Sequence, residues 1–157
     1  MKAYRLALAA HAKSAADALS GVGGLYAAGR WHQKGSQVVY AAQSVSLAAL
    51  ERFVHLKRVA DVKEHVYYEI DIPDALIEVP VALPSDWDAE PPRTGSREFG
   101  QAWLLKAAKP ALRVPSVIVR DEFNVMLNPR HPDFDLRWVV RGPVSFVFDT
   151  RLLKLLA

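Results

Sequence analysis

One stretch limits the fold more than any other. Residues 66–72, VYYEIDI, alternate: Val66, Tyr68, Ile70 and Ile72 fall on one side, with Glu69 and Asp71 on the other. Successive side chains of a strand point to opposite faces, so this period describes a strand with one face buried. Such a strand needs partners, and short candidates are spread along the chain. Tyr4, Leu6 and Leu8 alternate with Ala3, Arg5 and Ala7; residues 37–42 carry the β-branched Val38 and Val39. Residues 114–119 form a β-branched run with Pro115 near its start, and 123–127, 136–140 and 144–148 supply further strands. Ser44 or Ser46 offers an N-cap for a helix reaching about residue 57, and a shorter helix is expected over 99–108. Gly21, Gly23 and Gly24 mark flexible backbone, and residues 85–97, SDWDAEPPRTGSR, read as a polar surface loop. Many short strands with two or three helices make an α+β fold.

A chain of 157 residues, 51% of them hydrophobic, is long enough for one domain, residues 1–157, with a sizeable core. No apolar run approaches the ~18 residues of a membrane span. Lys2, Arg5, His11 and Lys13 interrupt the alanine-rich start, which is unlike a secretory signal, and a cytoplasmic location is expected. The absence of cysteine removes disulfides, thiolate nucleophiles and thiolate metal sites. The five histidines have no metal-binding spacing, so no metal is expected. The net charge of +3 is spread along the chain rather than gathered into a stripe. It suits a small anionic ligand or an acidic partner as well as a nucleic acid.

Taken singly, the polar residues have ordinary readings. On a helical wheel Val45, Leu47, Ala49, Leu50, Phe53, Val54 and Leu56 share a face; Arg52, His55 and Arg58 oppose it. Glu51 lies on the border, where a surface glutamate could pair with His55 or Arg58. Ser116 interrupts an apolar strand, as a buried serine bonded to nearby backbone does, and no nucleophile-elbow motif surrounds it. Tyr40 reads as a core or interface aromatic, Arg30 as a turn arginine and Trp31 as core. The glycines at 21, 23, 24 and 29 complete neither a dinucleotide fingerprint nor a P-loop.

The order of these pieces carries more than any one of them. "YRLA", "GRWHQKGSQVVYAAQSVSLAALERFVH", "LRVPSVIV", "LNPRHPDF" and "FVFDTRLL" follow one another along nearly the whole chain. In that order they resemble the RES-domain family, toxins of bacterial toxin–antitoxin pairs named for an arginine, a glutamate and a serine. The resemblance places the arginine at Arg30, the glutamate at Glu51 and the serine at Ser116, with Tyr40 and the N-terminal Arg5 beside them. It departs at His32, where the family usually has asparagine. It implies short, mostly antiparallel strands in an ADP-ribosyltransferase-like core, with NAD as substrate. The reaction implied is cleavage of the nicotinamide–ribose bond, with water, inorganic phosphate or a target protein as acceptor. The partner implied is a helix-turn-helix antitoxin that blocks the NAD cleft, often within a higher-order complex that leaves room for a homo-oligomer.

The residue types suit that substrate. A guanidinium pairs with a pyrophosphate through parallel donors. A tyrosine ring takes a flat cationic nicotinamide by stacking and cation–π attraction. A carboxylate stabilises the positive charge that grows on the ribose as nicotinamide leaves. By this reasoning Arg5 and Arg30 hold the phosphate side, Tyr40 walls the nicotinamide, Glu51 bonds the ribose 2′-hydroxyl and Ser116 orients the ribose or amide. Two rivals remain at this point: transfer of ADP-ribose to a cellular protein, and a non-catalytic basic module that binds nucleic acid.

Overall fold

The structure is a computed structural model that describes residues 1–59 and 62–154. Seven strands join one sheet: β1 (Lys2–Leu8), β2 (Val39–Ala42), β3 (His65–Asp71), β4 (Ile77–Glu78), β5 (Ala111–Pro115), β6 (Phe123–Leu127) and β7 (Val139–Phe146). Their order is β4-β5-β6-β2-β1-β3-β7, and every neighbouring pair is antiparallel except β4 with β5. The helical segments are α1 (Ala15–Ala18), α2 (Gly23–Tyr26), α3 (Val45–Phe53), α4 (Thr94–Lys106) and α5 (Thr150–Leu153). The α+β expectation therefore holds.

Alternation divides the core between the two sheet faces. Ala3 of β1, Val39 and Ala41 of β2, Tyr68 and Ile70 of β3, and Val125 and Leu127 of β6 share one buried cluster with Ala18 and Leu19. On the opposite face α3 packs Leu47 and Ala48 on Leu6 and Ala42. There too α4 brings Trp103 against Leu112, Val114, Met126 and Trp31. The face of β3 marked by its alternation is the buried one: Tyr68, Ile70 and Ile72 are fully enclosed, and Tyr68 Oη donates to the Ala12 carbonyl at 2.8 Å.

The sheet is not closed along its middle. β1 pairs with β3 through seven residue pairs, but with β2 through one, Tyr4 opposite Ala42. The two strands part toward the Leu8 and Val39 ends. Arg5 lies in that parting, its Nη1 donating to the Tyr40 carbonyl at 3.1 Å and its Nε to Ala18 O at 3.4 Å.

Several element boundaries differ from expectation. The strand expected over 114–119 ends at Pro115, because the Ser116 hydroxyl takes the Ile118 and Val119 N–H groups, each at 3.1 Å, and turns the chain. The helix expected over 99–108 starts at Thr94, so Ser96 and Arg97 are helical rather than part of a loop. Its buried stripe is Ser96, Gly100 and Trp103 at helical spacing, and the first two are too small and polar to register as apolar. α3 ends at Phe53 rather than near 57, and His55 and Leu56 continue in tighter turns to Arg52 O and Phe53 O. The strands expected at 136–140 and 144–148 are one strand, β7, which tolerates Pro143 because it lies at the sheet edge. β4, two residues long, has no pattern of its own that alternation could detect.

Candidate active site

α3 presents Glu51 toward the strand ends that carry Ser116 and Asn124. Ser44 caps the helix, its Oγ accepting from Leu47 N at 3.0 Å. One helical turn after the buried Leu47, the half-buried Glu51 carboxylate accepts from Ser116 Oγ at 2.8 Å and Asn124 Nδ2 at 2.6 Å. The surface pairing with His55 or Arg58 is replaced by these two contacts. Both reach the same oxygen, Oε1, and among the described residues none is made to Oε2. The carboxylate is thus fixed through one oxygen.

Ser116 is fully buried, and its hydroxyl is saturated by one donated and two accepted bonds. It orients Glu51. Asn124 does the same from β6, a residue to which the sequence reading gives no role. Its signal is that of Ser116: one polar side chain in an otherwise apolar strand.

Tyr40 of β2 is on the sheet face that carries α3 and α4, packed beside the Trp31 cluster. Its hydroxyl lies 2.8 Å from His32 Nδ1. Burial raises the phenol pKa, and this outweighs the opposing influence of the Trp31 backbone and the Arg30 charge. Tyr40 stays protonated and serves as a donor.

Arg5 falls on the other face by alternation, opposite Tyr68, and reaches the site only through the parting of β1 and β2. Burial and the Arg52 guanidinium lower its pKa to about 10, so it remains charged at neutral pH. Arg52, expected among the outward residues of α3, is half-buried and donates from Nε to His65 Nε2 at 3.1 Å. Two cations, Arg5 and Arg52, are thus close enough for one to act on the other.

Arg30 is engaged elsewhere. Nη1 donates to the carbonyls of Trp87 (3.0 Å) and Ala89 (2.7 Å), and Nη2 meets Glu90 Oε2 at 2.9 Å. Three of its five donors thus hold the loop before α4. Trp87 stacks on Trp31 with ring centroids 6.4 Å apart, and Asp88 pairs with Arg120 of the Ser116 turn at 3.0 Å. The loop spans from the Arg30 turn to the Ser116 turn. Other surface cations are likewise paired within the chain: Lys2 with Glu69, Arg137 with Asp135 and Arg151 with Asp149.

A mixed sheet whose central strands are paired at one position, and a helix-borne carboxylate fixed by a serine and an amide, define an α+β protein with a built polar cluster at Glu51. The RES-domain family model matches residues 2–149, and the chain belongs to the RES-domain family. It is 42% identical over 144 residues to the "Prs ADP-ribosylating toxin" of Sphingobium sp. (strain YBL2), covering 88% of this chain and 89% of that protein. It is 39% identical to a "Toxin Res" of Photorhabdus laumondii over 96% of each chain. Another "Toxin Res", of Yersinia enterocolitica, is 37% identical over 87% of this chain and 91% of that protein. Among solved structures the fold is similar to a chain of the M. tuberculosis MbcT–MbcA toxin–antitoxin complex. The TM-score is 0.69 at 19% identity, covering 99% of this chain and 87% of that one.

Proposed function

We propose that the chain is the toxin of a toxin–antitoxin pair and that it cleaves NAD at the nicotinamide–ribose bond. The observation that carries this reading is the Glu51 carboxylate, held through Oε1 by Ser116 and Asn124, with no hydrogen bond to Oε2 among the described residues. As the glycosidic bond breaks, its electron pair leaves with nicotinamide and positive charge spreads over C1′ and the ring oxygen. A carboxylate already oriented at that place stabilises the charge without reorganising. Oε2 is the natural acceptor for the ribose 2′-hydroxyl. Tyr40 supplies an aromatic wall, and Arg5 and Arg52 supply positive charge for the pyrophosphate. Arg30 contributes first by ordering the loop at 87–90, with two donors left for the substrate. Ser116 acts through Glu51.

The acceptor decides the outcome for the cell. Water or inorganic phosphate gives net NAD consumption; a protein side chain gives ADP-ribosylation. The second outcome is favoured by one observation, the name of the 42%-identical Sphingobium relative. Purified chain incubated with NAD, with and without phosphate, tests the proposal by chromatography of released nicotinamide. Adenine-labelled NAD in a cell lysate separates the outcomes: label in small molecules marks consumption, and label on a discrete protein band marks transfer. Unchanged NAD in every arm, with no labelled protein, overturns the proposal. Expression alone is expected to arrest growth, and co-expression of an adjacent antitoxin, expected to be a helix-turn-helix protein, to relieve it.

A further inference from the structure

His32 is buried, only 4% exposed, and both of its ring nitrogens are engaged. Nε2 lies 3.0 Å from the Ala27 carbonyl oxygen, which can only accept, so Nε2 carries the hydrogen. In the neutral ring Nδ1 is then a bare acceptor, and the Tyr40 hydroxyl 2.8 Å away donates to it. The seat is shaped for an imidazole. A Cβ on Gly29 would stand 2.7 Å from His32 Cε1 and Nδ1, and one on Gly24 3.1 Å from Nε2. Arg97 of α4 donates to the Gly29 carbonyl at 3.2 Å and fixes the turn from outside. Tyr40 is anchored at its other end by Arg5, through the main-chain carbonyl.

We infer that His32 is a positioning residue: by accepting the Tyr40 hydroxyl hydrogen it sets the orientation of the ring that forms the nicotinamide wall. The inference rests on the proposed NAD reaction for its kinetic consequence, but not for its geometry. It requires a neutral imidazole, because imidazolium has no acceptor and would point an N–H at the phenol oxygen. The titratable and charged groups facing this pair are Tyr40 from β2, Arg97 from α4 and Arg30 from the same turn. Burial is the larger influence that lowers the His32 pKa, and the Arg97 charge opposes a proton there as well. The ring is thus neutral at physiological pH, and the arrangement fails only in acid.

The test uses the full chain and NAD. His32→Leu keeps bulk but removes the acceptor, and is expected to raise the KM for NAD about tenfold with kcat changed much less. Tyr40→Phe, which removes the donor, should do the same, and the double variant should be no worse than either single one. His32→Asn retains an acceptor that does not titrate; it should restore most of the affinity and abolish the rise in KM expected of the parent in acid, below the ordinary imidazole range. Long-range proton–nitrogen NMR of the free protein gives a readout independent of turnover. His32 should be the Nε2–H tautomer at pH 7.5, and its Nδ1 resonance should shift in Tyr40→Phe. Parental KM in His32→Leu, fully additive single effects, or an Nδ1–H tautomer would overturn the inference. A parent that leaves NAD intact while the NMR result holds would instead overturn the proposed reaction.

Discussion

Both donors to Glu51 converge on one oxygen, yet they differ in what else they hold. Ser116 Oγ also accepts two backbone N–H groups, whereas Asn124 Nδ2 is aimed at the carboxylate. Ser116→Ala strands buried backbone donors as well as removing a donor to Glu51, and each unpaired buried polar group costs about 1–3 kcal/mol. Urea unfolding is expected to show a larger stability loss for Ser116→Ala than for Asn124→Ala, while both slow nicotinamide release. Equal stability losses would mean that the serine does not organise its turn. At this scale the sequence is partly legible. A serine in the β-branched run is conspicuous, and the lone amide in Phe123–Leu127 is equally conspicuous once the strand is known. Glu51 stays ambiguous, because a border position on a helical wheel is half-buried either way, and only the partners across 65 and 73 residues decide its role.

Among the elements, the loop before α4 depends on Arg30. A lysine keeps the charge but offers no planar fork, and so cannot serve two carbonyls and a carboxylate together. Arg30→Lys is expected to raise amide hydrogen exchange at residues 87–90 about tenfold, equivalent to ~1.4 kcal/mol of local opening, with β3 and α3 unaffected. Unchanged exchange would show that Trp87 stacking and the Asp88–Arg120 pair suffice. The same loop shows why element boundaries are harder to read than elements. Residues 66–72 are visible because apolar alternation is local, and 123–127 because a short apolar run is local too. The start of α4 is hidden, because a buried Ser96 and Gly100 carry the stripe without hydropathy. Arg30 reads as a turn residue, since its partners lie 57 to 60 positions away.

For the whole molecule, two buried neutral histidines link folding to pH. Burial, the first cause for both, lowers the pKa of His32 and His65 below the usual 6.5. His65 donates from Nδ1 to Lys63 O and accepts from Arg52 through Nε2, so it too has no place for a second proton. Below about pH 6.5 the unfolded chain binds protons that the folded chain refuses. Stability is therefore full above that pH and falls as the pH drops toward the folded-state values. Thermal unfolding from pH 8 to 5 should show Tm declining below about 6.5, and less steeply in His32→Asn. A flat profile would mean that the histidines titrate normally in the fold. The account as a whole turns on Glu51. Glu51→Gln preserves shape and hydrogen-bonding reach and removes the charge; loss of one such contact typically lowers turnover ~100–1000-fold, about 2.7–4 kcal/mol. The decisive measurement is nicotinamide release by parent and Glu51→Gln side by side, with Tm recorded on the same samples. The expected result is a rate loss of at least about a hundredfold at nearly unchanged Tm; release at the parental rate by a folded Glu51→Gln protein would contradict the site described.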